Sequence, residues 1–206
     1  KDCQIHNSAY MTLEQVIDVI KSAEHEKKMT VRLHTGDPSL YGAIREQMDR
    51  LDKLGIKYDI CPGVSSFCGA AAALRAEYTL PDVSQTVIIT RMAGRTPVPE
   101  KESIVALAAH NATMVIFLST GLLKELSAEL IRGGYKPDTP AAIVYKASWT
   151  DQKVCRCTVE DLAQTAADNG ITKTALICVG YFLGNDYSLS KLYDKSFETE
   201  FRKAEI

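Results

Sequence analysis

The sequence predicts an α/β protein of two domains, with a parallel sheet in the first and a mixed sheet in the second. Three observations carry this. Helical and strand-like hydrophobic periodicities alternate along most of the chain, the pattern of a parallel sheet with crossover helices. The alternation pauses at "YTLPDVSQ", so residues 78–84 are the expected boundary. Two strand-like segments, 141–146 and 153–158, then follow one another across the loop "ASWTDQ", which predicts a hairpin and hence antiparallel pairing.

In order, "MTLEQVIDVIKSAEHEKK" places Leu13, Val16, Ile17 and Ile20 at helical spacing with Thr12 as N-cap. "TVRLHT" is short and β-branched and predicts a buried strand. "SLYGAIREQMDRLDKLG" predicts an amphipathic helix ending at Gly55, with Pro38 fixing its start. "KYDICPG" predicts the next strand, and "SSFCGAAAALRAE" a closely packed helix of small residues. Beyond the pause come strand "TVIITR", loop "MAGRTPVPEKE", helix "SIVALAAHN", strand "TMVIFLS" and helix "GLLKELSAELIRGG". Strands "AAIVYK" and "KVCRCTV", helix "VEDLAQTAADNG" and strand "TALICVGYFL" complete the second domain. The tail "NDYSLSKLYDKSFETEFRKAEI" predicts a short appended helix. The expected limits are 1–80, 85–187 and a tail of 188–206.

With 206 residues, 46% of them hydrophobic and 24% charged, the chain has an ordinary globular balance. A net charge of −2 argues against general nucleic-acid or membrane-surface binding. No apolar run reaches the ~18 residues of a membrane span, and no secretory signal opens the sequence. The six cysteines form no C-x-x-C pair and have no histidine at zinc-ligand spacing, which predicts free thiols in a reducing cytoplasm and no metal site. No Walker A loop, G-x-G-x-x-G or G-x-S-x-G motif is present.

Ligands of open α/β sheets bind beyond the carboxyl ends of strands, which selects the loops "HTGDPSLYG", "CPGVSS", "FLSTG" and "VYKAS". Gly36 permits a tight turn and a close ligand approach. Asp37 is an acceptor for hydroxyls or a cation, or simply a turn residue. Ser65 and Ser66 stand at a helix start, where a hydroxyl either caps or touches a ligand. His34 beside the turn is either a proton donor or structural. Arg91 and Arg95 lie in one loop stiffened by two prolines. They suit a polycarboxylate or phosphate, or else are solvated or paired with Glu100 and Glu102.

The ordered set "HTGDPSLYG", "DICPGVSSF", "TRMAGRTPVPE", "TMVIFLS" and "LYDKSFETEFR" resembles the tetrapyrrole methylase family over nearly the whole chain. "GDPSLYG" followed by "PGVSS" marks the superfamily. "IHNSAYMTLEQ", "RMAGRTPVPE" and "LYDKSFETEFR" narrow it to members that methylate carbon 11 of precorrin-4 or cobalt-precorrin-4 in cobalamin synthesis. The resemblance implies S-adenosylmethionine as cofactor, held in a folded form between two domains, and S-adenosylhomocysteine as product. It implies cofactor contacts at Thr35, Gly36, Asp37, Leu40, Ser65, Ser66, Leu118, Ala147 and Ala175. It further implies a carboxylate-bearing tetrapyrrole gripped by Arg91 and Arg95, a homodimer and a cytoplasmic location. The family opens with a strand and a G-x-G-P-G-D-P loop that has no counterpart here, so the first domain is expected to be incomplete. Two other readings stay open: a superfamily member acting on ribosomal RNA or diphthamide, and a domain that binds a tetrapyrrole or dimerises without catalysis.

Overall fold

Thr12 starts the first helix through a reciprocal cap in the computed structural model, which describes residues 3–205. Its hydroxyl accepts from the Gln15 N–H, and the Gln15 side chain accepts from the Thr12 N–H at 2.8 Å. Helix α1 (Leu13–His25) buries Val16, Ile17 and Ile20. They pack with Leu51 of α2 (Arg45–Leu54), which stops at Gly55 with φ +66°. By contacts the chain divides into two compact units, Lys1–Ser66 and Phe67–Ile206. Lys1, Asp2 and Ile206, at the ends of the expected first domain and tail, lie outside the described residues.

The first unit departs from expectation in two places. Helix α2 begins at Arg45, not at Ser39, because Tyr41 and Ala43 have φ of +57° and +49° and interrupt the helical run. Segments 30–35 and 57–63, expected as strands, form no ladder. Their apolar side chains face out: Leu33 is 85% exposed, and Val31 and Ile60 are exposed too. An extended segment becomes a strand only when a neighbour takes up its N–H and C=O groups. The parallel sheet expected of this unit is therefore absent among the described residues.

The strands expected of the second unit form, except that the last, expected over 174–183, ends at Val179 because Gly180 takes φ +140°. Strands β1 (Val87–Arg91), β2 (Thr113–Phe117), β3 (Pro140–Tyr145), β4 (Lys153–Thr158) and β5 (Ala175–Val179) make one sheet in the order β1-β2-β5-β3-β4. β1 and β2 are parallel; the other three pairings are antiparallel, including the β3–β4 hairpin. Alternate residues face opposite ways. Met114, Ile116, Ile143, Ile177 and Val179 pack on one face. Their helical partners come from α4 (Ile104–Ala108), α5 (Leu123–Gly133) and α6 (Leu162–Asp168). Val115, Ala142, Val144, Leu176 and Cys178 pack on the other face, with Tyr78, Phe182 and α3 (Ser66–Leu74). Ala70 and Leu74 of α3 belong to this core, so the contacts divide at residue 66 and not at 78–84.

Among its described residues the tail carries only a short 3-10 turn, Lys191–Tyr193, where a helix was expected. Asp194 accepts from both the N–H and hydroxyl of Ser196, and Arg202 reaches the carbonyls of Leu192, Asp194 and Phe197. These local bonds hold bends in place of helical ones. All six cysteines are free: Cys3, Cys61 and Cys68 exposed, Cys155 and Cys157 half-buried, Cys178 buried. Burial pushes the Cys178 thiol up to about 12.

Candidate cofactor and substrate site

Asp37 clips two loops together. One carboxylate oxygen accepts from the backbone N–H of Ser39 at 2.9 Å and from its hydroxyl at 2.5 Å. The other accepts from the N–H of Gly63 at 2.8 Å, across 26 residues of sequence. The Ser39 hydroxyl, then the Gly63 and Ser39 amides, hold its carboxyl below the ordinary carboxylate range. Gly36, at φ +76°, brings its backbone against the second loop; a Cβ there would lie 3.3 Å from the Cα of Ser65. A Cβ on Gly63 would lie 2.3 Å from the Gly36 carbonyl oxygen, so both glycines are needed for the approach. Thr35 is exposed beside this contact, Leu40 is half-buried in the turn and not inside a helix, and Ser65 is buried. Gly63 is the member that sequence reading did not single out; its position in "CPGVSS", beside a chosen loop, was the available signal.

In the second unit, register brings other residues to one end of the sheet. Arg91 pairs with Phe117, and Tyr145 with Ala175. The chain leaves β1, β2 and β3, and enters β5, at that same end. Leu118 follows β2 directly, Ala147 follows β3, and Ala175 opens β5. The Thr120 hydroxyl donates to the Ala175 carbonyl at 3.2 Å. The buried Ser119 hydroxyl donates to the Phe117 carbonyl at 2.7 Å and accepts from the Met92 N–H at 2.9 Å, tying the β1 and β2 exits together. The turns here are strained. Leu118, Lys146, Ser148 and Thr174 have φ of +53°, +46°, +71° and +58°, in a region that side chains other than glycine avoid. Leu118 is also 73% exposed.

The two arginines differ. Arg91 donates to the carbonyls of Met92 (3.1 Å), Thr96 (3.2 Å) and Pro97 (2.8 Å), bracing its own loop. Arg95 is exposed at the tip. Among the described residues neither forms an ion pair with Glu100 or Glu102.

The loop after β3, whose first residues belong to the candidate segment "VYKAS", is also organised. The Lys146 ammonium sits 5.1 Å from the ring centroids of both Tyr145 and Trp149 and pairs with Asp151 at 2.5 Å. That hydrogen bond to Asp151, followed by one to Tyr145, raises the Lys146 pKa. Among the described residues no group of three or more His, Cys, Asp or Glu could hold a metal ion, and no helix is long and apolar enough to cross a membrane. A depression of about 560 Å³, lined by Ile5, His6, Tyr10 and Gln15 among others, contains none of the candidate site residues.

Residues 2–163 match the family model of the Tetrapyrrole (Corrin/Porphyrin) Methylases, and the chain belongs to that family. It is 55% identical over 205 residues to the cobalt-precorrin-4 C(11)-methyltransferase of Methanocaldococcus jannaschii, a match covering 99% of this chain and 79% of that enzyme. The enzyme of the same name from Priestia megaterium is 48% identical, covering 97% and 79%. The X-ray structure of a cobalt precorrin-4 methyltransferase, a cobalamin biosynthetic enzyme, superposes with a TM-score of 0.86 at 47% identity, covering 88% of this chain and 76% of that one. The uroporphyrin-III C-methyl transferase of Thermus thermophilus, crystallised with S-adenosyl homocysteine, shares the fold at a TM-score of 0.66 and 20% identity, covering 82% and 74%.

Proposed function

We propose that the chain is an S-adenosylmethionine-dependent methyltransferase that methylates carbon 11 of precorrin-4 or cobalt-precorrin-4 in cobalamin biosynthesis. The observation that carries this is the 55% identity, over 99% of the chain, to an enzyme named for that reaction. The bound cofactor supplies a sulfonium methyl group that is already electrophilic. The protein's residues therefore need to bind, orient and exclude water, and need not provide a covalent nucleophile.

The residues present suit such a cofactor. Two glycine backbones in close approach leave the Gly36 turn without a side chain, next to the exposed Thr35. Asp37 keeps that turn in shape, with Ser65, Ser66 and Leu40 flanking it. At the sheet end, the exposed Leu118 offers apolar surface and Ala147 and Ala175 are small. Arg95 is the residue suited to pair with substrate carboxylates, and Arg91 holds the loop that carries it.

Incubation with methyl-labelled S-adenosylmethionine and each substrate, cobalt-free and cobalt-containing, tests the reading. Product carrying one labelled methyl at carbon 11 is expected. Labelling at another carbon, or label accepted by ribosomal RNA instead, would overturn it. The family resemblance also supports a homodimer in the cytoplasm, which sedimentation velocity and cell fractionation would test.

A further inference from the structure

Trp149 has no part in holding the sheet together, yet it is fixed. The residue is 56% exposed. The Lys146 ammonium lies 5.1 Å from its centroid and is itself held by Asp151. Lys146 donates its backbone N–H to the Thr174 carbonyl at 2.9 Å, and its own carbonyl accepts from the Trp149 N–H at 3.0 Å. The Ser148 N–H goes to the Gln152 side chain at 2.7 Å. An exposed indole normally loses hydrophobic stabilisation and keeps its rotamer freedom. This one is presented to solvent by a loop with two left-handed residues, Lys146 and Ser148. Backbone strain held by surrounding bonds is a mark of functional loops.

Its place in the sheet says what it could meet. The loop leaves β3 at the end where the Arg95 loop leaves β1. In the order β1-β2-β5-β3 these exits are three strand spacings apart, ~14 Å. An aromatic face with an ammonium beside it at one side, and a guanidinium at the other, match a flat macrocycle bearing carboxylate arms.

We infer that Trp149, held by Lys146, is a wall of the substrate site, where its indole packs against the ring of a carboxylated tetrapyrrole. This deepens the proposed methyltransferase reading and rests on it. Arg95 takes a carboxylate, Lys146 braces the indole, and Trp149 contributes ring contact and orientation.

Uroporphyrin, a stable carboxylated tetrapyrrole, serves as the probe, with binding followed by the shift of its own absorbance. Trp149→Ala is expected to raise its dissociation constant about tenfold, the scale of one lost aromatic stacking contact. Trp149→Phe keeps a flat ring and should stay within about twofold of the parent. S-adenosylhomocysteine affinity, measured by calorimetry, should not change in either variant. Parent-like uroporphyrin binding by Trp149→Ala would overturn the inference. So would no uroporphyrin binding by the parent, or an equal loss of both ligands, which would make the loop merely structural. If methyl transfer fails while porphyrin binding still depends on Trp149, the proposed reaction falls and the ring contact stands. If methyl transfer succeeds and Trp149→Ala binds normally, the ring contact alone falls.

Discussion

The two units respond differently to the same kind of sequence. Both contain short strand-like segments bounded by turns. In residues 67–206 five of them pair, and Ile116, Ile143, Ile177 and Val179 are fully buried between helices and sheet. In residues 1–66 two of them stay unpaired, and among the described residues the buried apolar side chains reduce to Val16, Ile17, Ile20 and Leu51 between two helices. The contrast teaches that hydrophobic periodicity specifies a face, whereas a strand also requires a neighbour at the right register.

Core substitution should sharpen that contrast most. Ile177→Ala removes a fully buried side chain from the middle strand β5 and should cost ~2–5 kcal/mol in denaturant unfolding. Leu33→Ala, at an exposed position, should cost less than ~0.5 kcal/mol. A comparable loss at Leu33 would mean that segment 30–35 is packed in solution and would break the comparison. Hydrogen exchange should agree, with β2, β5 and β3 amides slow and those of 30–35 and 57–63 fast.

Next in size is the clip between the two loops of the first unit. Gly63→Ala puts a Cβ against the Gly36 carbonyl, and Asp37→Ala removes three hydrogen bonds. Each should weaken S-adenosylhomocysteine binding about tenfold by calorimetry. Unchanged affinity would reduce the clip to a turn.

The arginines should separate by kind of effect. Arg91→Ala leaves three loop carbonyls without their donor and should lower stability by ~1 kcal/mol as well as weakening uroporphyrin binding. Arg95→Ala should weaken uroporphyrin binding several-fold with no change in melting temperature. Identical behaviour of the two would contradict the bracing role of Arg91.

The smallest effect is a pH dependence. Because hydrogen bonds lower the folded-state pKa of Asp37, its contribution is present above the ordinary carboxylate range and lost as pH falls through the lowered value. Carbon-13 NMR of the Asp37 carboxyl should give a low titration point. Ser39→Ala, which removes the leading cause, should move it up.

Much of the second unit was legible in sequence because each strand there brings its own partners. The hairpin of 141–146 and 153–158, and the Thr12 cap, were readable from spacing and capping chemistry. Segments 30–35 and 57–63 misled because strand-like composition is silent about pairing. Helix α2 was drawn too long because nothing in "SLYGA" announces that Tyr41 and Ala43 take left-handed backbone. For the candidate site, the "GDP" turn was visible, but its contact with Gly63 was not, since the Asp37 bond spans 26 residues. The role of Arg91 as a brace was hidden because a guanidinium reads alike whether it meets a ligand or its own loop. Segment "VYKAS" was among the chosen loops, but the contact of Lys146 with Trp149 was missed because no sequence motif marks it.

The left-handed residues at the sheet end also make a statement about selection. Leu118 and Thr174 each occupy backbone space that glycine would take with less strain, by about 1 kcal/mol. Leu118, being exposed, forfeits little packing if replaced. A library screened only for heat resistance should therefore drift toward glycine or asparagine at position 118. A library screened for growth without added vitamin B12 should hold leucine or another large apolar residue there. Where the two screens disagree, position by position, they would outline the working edge of the sheet without any ligand being seen.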